Sequence, residues 1–242
     1  MMRWTYRHEW PTINNCQAQK HGTLAKAGHI SPVSGRGAAL GSLIKKGVRM
    51  VSDFPIVCVG GSAGGLDAYI RLLKNLPDDM GVAIVIVNHL RTVSTRLHEI
   101  LPRYTSMPVE LISERLDIRP DCVFIIPEKR DLHVLNGEFR LKPISKPHGW
   151  PDVITVFLRS LTENWAGQLI AVIVSGYDGD GSAALCGIRD VGGITIAQEL
   201  DTAVQPDMPQ SAIDSGCINF ILSPEGIALK IREIADRQSA GH

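Results

Sequence analysis

Apolar residues along this chain follow two alternating rhythms. Continuous runs at 56–59, 82–87 and 169–174 carry no polar interruption, as expected of strands buried on both faces of a parallel sheet. Shorter, mostly apolar stretches at 109–112, 123–126, 194–197 and 219–222 read as further strands. Between them apolar positions return at helical spacing, as at Leu66, Tyr69, Ile70 and Leu73. Further helices are predicted after Ser94 (a candidate N-cap for Leu97, Ile100 and Leu101), over 153–161, 182–191 and 210–215, and from Ser223-Pro224 onward. That last helix has Pro at its first position and Ile227, Ile231 and Ile234 on one face. Asn136-Gly137 between 133–135 and 139–141 predicts a hairpin with a two-residue turn. There are no internal repeats. The expected fold class is α/β: a doubly wound, mostly parallel sheet with helices on both faces, plus one antiparallel hairpin.

Residues 1–49 show no such rhythm and mix Gly, Pro, His, Asn and Gln with basic residues. They are read as a disordered N-terminal extension (1–50) before a single catalytic domain (51–238). Met50 just before the first strand is an alternative natural start. This segment holds eight Lys/Arg against one acid, leaving 17 Lys/Arg against 24 acids for the rest. A weakly acidic body argues against nucleic acid as a partner. No apolar run reaches the length of a membrane span, and the N-terminus lacks a secretory core. The five cysteines are odd in number and free of Cys-x-x-Cys spacing. They read as small buried hydrophobes in a reducing, cytoplasmic setting, with neither a disulfide framework nor a metal site.

The chemistry gathers at strand ends. Gly60-x-Ser62-x-Gly64 fits a serine on a sharp strand-to-helix turn; by itself it fits a structural or phosphate-binding turn equally well. Neither Gly-x-Gly-x-x-Gly nor Gly-Lys-Ser/Thr is in register. In open α/β sheets, ligands bind beyond the carboxyl ends of the strands. Ser62, His89 and Asp180 each follow a different predicted strand there, supplying the nucleophile, base and orienting carboxylate that acyl transfer uses. Asp178 is the rival carboxylate in the same Asp-Gly-Asp-Gly loop. A calcium loop would need further acids that are absent. His98 and His133 read as structural or exposed.

Several separated motifs sharpen this reading: Val-Gly-Gly-Ser-Ala-Gly-Gly-Leu at 59–66, Val-Asn-His-Leu at 87–90, Phe-Ile-Ile-Pro at 124–127, Ser-Gly-Tyr-Asp-Gly-Asp-Gly at 175–181, Gly-Gly-Ile-Thr-Ile-Ala-Gln at 192–198 and Met-Pro-Gln-Ser-Ala-Ile at 208–213. In order and spacing the chain resembles the catalytic domain of chemotaxis receptor-glutamate methylesterases, the CheB type, over about three quarters of its length. The resemblance implies a serine esterase that hydrolyses glutamyl methyl esters of chemoreceptors to glutamate and methanol, with glutamine deamidation as a related activity. It implies Ser62 as nucleophile, His89 as base, Asp180 rather than Asp178 as orienting carboxylate, and the backbone N–H groups of Ala63 and Tyr177 as oxyanion hole. It implies no cofactor.

The chain also departs from the family. Typical members carry an N-terminal phospho-acceptor receiver domain, which residues 1–49 are too short and irregular to form, so a stand-alone enzyme is expected. Trp150-Pro151-Asp152-Val153 replaces a Pro-Ser-x-Asp stretch, and Asp207 precedes Met208-Pro209 where glycine is usual. The alternatives are an esterase or amidase acting on another substrate, and a non-catalytic signalling adaptor that keeps the fold.

Overall fold

A computed structural model describes residues 54–89, 96–146 and 149–239. The N-terminal extension, the alternative start and the Ser94 cap fall outside the described residues. Seven strands form one sheet: β1 (Ile56–Gly61), β2 (Ala83–Asn88), β3 (Val109–Leu111), β4 (Cys122–Ile125), β7 (Leu169–Ile173), β8 (Ile194–Gln198) and β9 (Phe220–Leu222). Their spatial order is β3-β4-β2-β1-β7-β8-β9, and every pairing is parallel. β5 (Arg130–Leu135) and β6 (Glu138–Pro143) pair separately as the antiparallel hairpin. Asn136 (φ 55°) and Gly137 (φ 75°) both adopt the left-handed region that a tight primed turn demands.

Each central strand sends alternate residues to opposite faces. Ile56 and Cys58 of β1 enter one core with Ile154, Phe157 and Leu158 of α3 (Val153–Asn164) and with α4 (Leu185–Asp190) and α5 (Asp207–Asp214). Val57 and Val59 enter the other, with Tyr69, Leu72 and Leu73 of α1 (Gly65–Lys74) and Ile227, Ile231 and Ile234 of α6 (Pro224–Ser239). This is the doubly wound arrangement that the apolar runs predict. The bidentate Arg71 to Glu225 pair, at 2.7 and 2.9 Å, ties α1 to α6.

Several elements differ from the sequence expectation. The helix predicted after Ser94 is a short α2 (Leu97–Ile100) that tightens into a 3₁₀ turn, Leu101–Arg103. Pro102 there has no N–H to continue the α-helical ladder. The 182–191 helix opens as a 3₁₀ turn, Ser182–Ala184, before α4. α5 starts at Asp207, ahead of the predicted 210, because Pro209 sits in the first turn, where its missing N–H costs nothing. The cysteine expectation is corrected outright. Cys186 and Cys217 form a disulfide, with Cα atoms 5.1 Å apart, joining α4 to the segment between α5 and β9. The 31-residue separation carries no spacing signature; only the fold brings the two together. Cys58 and Cys122 are free and buried, as expected.

Candidate active site

Sheet register sets the heights of the site residues. Gly61 pairs with Asn88 and Gly60 with Ile173, so Ser62, His89 and Ser175 leave three adjacent strands at one level. The ladder runs on through them, with Ser62 N donating to Ser175 O (2.9 Å) and His89 N to Gly61 O (2.8 Å).

Ser62 sits in the turn before α1. Gly64 occupies the left-handed region at φ 76°, and a Cβ there would lie 2.5 Å from Ser175 Oγ and from Val204. Only glycine meets both demands. The turn is stitched to its neighbour by Ser175, whose Oγ donates to Ala63 O and accepts from Gln205 N, both at 2.8 Å. Ser175 N in turn donates to Gln198 Oε1 at 3.0 Å. Ser175 and Gln198 are buried and shape the site, yet sequence pattern assigns them no role; their one trace is membership of the motifs at 175–181 and 192–198.

Asp180 is anchored from a distance. Its Oδ2 accepts the N–H of Ile154 and its Oδ1 that of Thr155, each at 2.9 Å. These are the second and third residues of α3, whose N–H groups have no partner within the helix. Asp152 at the N-cap makes no capping bond of its own; a carboxylate from the β7–α4 connection does that work and also meets the positive end of the helix dipole. Thr155 returns the link, its Oγ1 accepting from Gly181 N at 2.9 Å. Gly181 has φ 94°, and a Cβ would strike Ile154 at 2.8 Å.

His89 lies between these two parts with its side chain 2% exposed. Nδ1 is 3.2 Å from Asp178 Oδ2 and 3.3 Å from Asp180 Oδ2. The ring N–H, shared between two oxygens, is aligned with neither as a hydrogen bond, and Nε2 has no partner. Burial disfavours charge on the ring, but the Asp178 and Asp180 carboxylates outweigh it and lift the imidazole to about 9. Ser62 Oγ donates instead to the His89 main-chain carbonyl, at 2.7 Å. The structure thus brings Ser62, His89 and Asp180 together, with the Ser62–imidazole bond unformed and Asp178 present as a second acid.

Around the site, burial with help from Asp180 pushes the Cys58 thiol up, which leaves it inert. Tyr69 donates its hydroxyl to Asn88 Oδ1 at 3.1 Å, steadying the end of β2. Two cavities meet at His89: one of about 290 Å³ bordered by Leu97, Ile126 and Val153, and one of about 350 Å³ bordered by Trp150, Arg159 and Asp178. Trp150 and Tyr177 stand exposed at 62% and 59%, an apolar rim over polar chemistry. His98 and His133 are half-buried, and His98 borders the first of these cavities. Among the described residues no cluster of His, Cys, Asp or Glu has the makings of a metal site, and no helix is long and apolar enough to cross a membrane.

Comparison with known proteins points to one family. Residues 57–231 match the family model described as CheB methylesterase. A Burkholderia pseudomallei protein-glutamate methylesterase/protein-glutamine glutaminase is 30% identical over 187 residues, 76% of this chain and 54% of that one. The corresponding Mesorhizobium japonicum protein is 31% identical over 76% of this chain and 55% of its own. The chain therefore spans about half the length of these curated relatives. A Leptospira interrogans protein, named as a putative member of the same class, is 29% identical and is covered over 92% of its length. The crystal structure of the Thermotoga maritima CheB methylesterase catalytic domain superposes with a TM-score of 0.69 at 29% identity, covering 76% of this chain and all of that one.

Proposed function

The chain belongs to the CheB methylesterase family, and from that premise we propose that it hydrolyses glutamyl methyl esters of chemoreceptors in the cytoplasm, releasing methanol by a Ser-His-Asp mechanism. The observation that carries the reading is the convergence of Ser62, His89 and Asp180 at the carboxyl ends of three adjacent strands.

In this mechanism the Ser62 hydroxyl leaves the His89 carbonyl and turns to Nε2, which is buried and unpartnered in the resting structure. Catalytic hydrogen bonds are often open before substrate binds. Neutral His89 takes the Ser62 proton as Oγ attacks the ester carbonyl, and Asp180 stabilises the imidazolium. The developing oxyanion is met by the N–H groups of Ala63 and Tyr177, neither of which donates a hydrogen bond among the described residues. Such donors commonly contribute about 3–4 kcal/mol to barrier lowering. Imidazolium gives its proton to the leaving methoxide, and water activated by His89 then frees the carboxylate. The same steps on a glutamine side chain release ammonia, a second activity in line with the glutaminase in the names of the relatives. No cofactor takes part in this scheme.

The test is methanol release from methylated chemoreceptor membranes, wild type beside Ser62→Ala. Release that disappears in the variant is expected. Release that persists would overturn the nucleophile, and a folded wild type that releases none would overturn the substrate.

A further inference from the structure

We infer that Asp178 is a positioning residue and a second carboxylate partner of His89, and that Asp178 and Asp180 together hold the ring as a resting imidazolium that must shed a proton to solvent before it can accept one from Ser62. The kinetic half of this inference rests on the serine-esterase reading; the electrostatic half does not.

The two acids are not equivalent. Asp180 is 1% exposed at its side chain, and both its oxygens accept N–H groups at the start of α3. The helix end therefore offsets part of its charge. Asp178 is 19% exposed. Its Oδ1 accepts the Asp180 N–H at 3.1 Å, which fixes the side chain and aims Oδ2 at His89 Nδ1, 3.2 Å away. Other titratable groups border the two cavities that meet at His89. Arg96 and His98 from the α2 region, Glu128 and Lys129 from the β4–β5 connection and Arg130 at the start of β5 border one cavity. Asp152 at the N-cap of α3 and Arg159 within it border the other. Cys58 on β1 stays a neutral thiol. Among the described residues, Asp178 and Asp180 are the acids within ion-pair distance of the ring. A buried imidazole with one such partner is poised near neutrality; with two, the charged form wins.

The resting arrangement of Ser62 fits this state. A ring protonated on both nitrogens has no lone pair for the hydroxyl, and Ser62 Oγ donates to the His89 carbonyl instead. At neutral pH the fraction of enzyme with a free base is then small. Removing the Asp178 charge should raise activity there, the opposite of the usual result for an active-site acid.

Asp178→Asn is the informative variant, because the amide oxygen still accepts from Asp180 N while the charge is gone. The experiment follows the His89 ring resonances of the full chain by NMR against pH, with His89→Gln to assign them. The expected wild-type midpoint is about 9, falling by about 1–3 pH units in Asp178→Asn and staying raised in Asp178→Glu. On a methyl-ester substrate the acid limb of kcat/KM should move by the same amount. Each pH unit of that movement should bring roughly tenfold more activity at pH 7 until the midpoint nears 7, so the gain levels off at about 100-fold. A His89 midpoint unmoved by Asp178→Asn overturns the inference. So does a wild-type midpoint at or below the ordinary 6.5, a result that needs no variant to fold. A ring midpoint that falls as expected in a protein without esterase activity would uphold the electrostatic inference and sink the proposed function instead.

Discussion

Replacing Asp180 with asparagine separates the structural and chemical duties of one carboxylate. In the native fold both oxygens accept backbone N–H groups, from Ile154 and Thr155 at 2.9 Å each. Hydrogen bonds to a charged group contribute about 1.5–3 kcal/mol apiece, and an anion at a helix N-terminus adds about 0.3–2 kcal/mol. Asparagine keeps one acceptor, now neutral, and turns an NH₂ toward the other N–H, leaving that donor buried and opposed. Against this, an amide costs less to bury than a carboxylate. The balance is a loss of about 2–3 kcal/mol. Asp180→Ala strands both donors and should lose about 3–5 kcal/mol. Urea denaturation of the full chain at pH 7 measures both. Ester hydrolysis by Asp180→Asn, without urea and well below its melting point, should fall up to about 10⁴-fold as the imidazole loses the partner that α3 holds in place and keeps only Asp178. Asp180→Asn within about 0.5 kcal/mol of wild type would refute the claim that this carboxylate caps α3, whatever happened to activity.

Three further outcomes are expected. Ser62→Ala removes one hydrogen bond, to the His89 carbonyl, so stability should change by only about 1 kcal/mol while hydrolysis falls about 10³-fold or more; a large loss of stability in calorimetry would contradict this. His89 is raised from 6.5 to about 9 in the folded protein, so its contribution is fully present below pH 6.5 and disappears as pH rises through 9; denaturation midpoints should therefore decline over that window in wild type and decline less in His89→Gln. Reducing the Cys186–Cys217 bridge, which closes a loop of 31 residues, should cost about 3–4 kcal/mol on the chain-entropy account; denaturation midpoints that coincide with and without reductant would exclude it.

The fold was legible wherever burial on both faces erased polar interruptions. The runs at 56–59, 82–87 and 169–174 became β1, β2 and β7, each within two residues of the predicted ends, because a strand covered by helices on both sides has little choice of composition. Asn136-Gly137 marked the hairpin correctly. Helix ends were harder to read. Pro209, left outside the predicted 210–215 helix, lies in its first turn, and Pro102 sits in the 3₁₀ turn that follows the short α2. Among the site residues, Ser62 and His89 were visible as residues just past a strand. Choosing between Asp178 and Asp180 was beyond spacing, since both stand in one loop; in the fold both reach His89, and it is Asp180 that α3 secures. The Cys186–Cys217 pairing, the Ser175–Gln198 links and the capping of α3 by Asp180 all join segments remote in sequence, and local pattern carries no record of such contacts.

The register of β2, β1 and β7 has a consequence for how this site can change. Ser62 and His89 are held by the ladder itself, and Asp180 by the first turn of a helix packed across it. The groups around the opening, Trp150 and Pro151 with exposed Tyr177 beside Asp178, belong to connections that the ladder does not constrain. Substitutions at the mouth can therefore accumulate without shifting the reacting atoms. Ancestry in this fold would then be recorded at the strand ends, and the choice of target rewritten at the rim. Grafting a relative's 149–152 segment onto this chain should redirect it toward that relative's substrate while leaving the chemistry in working order.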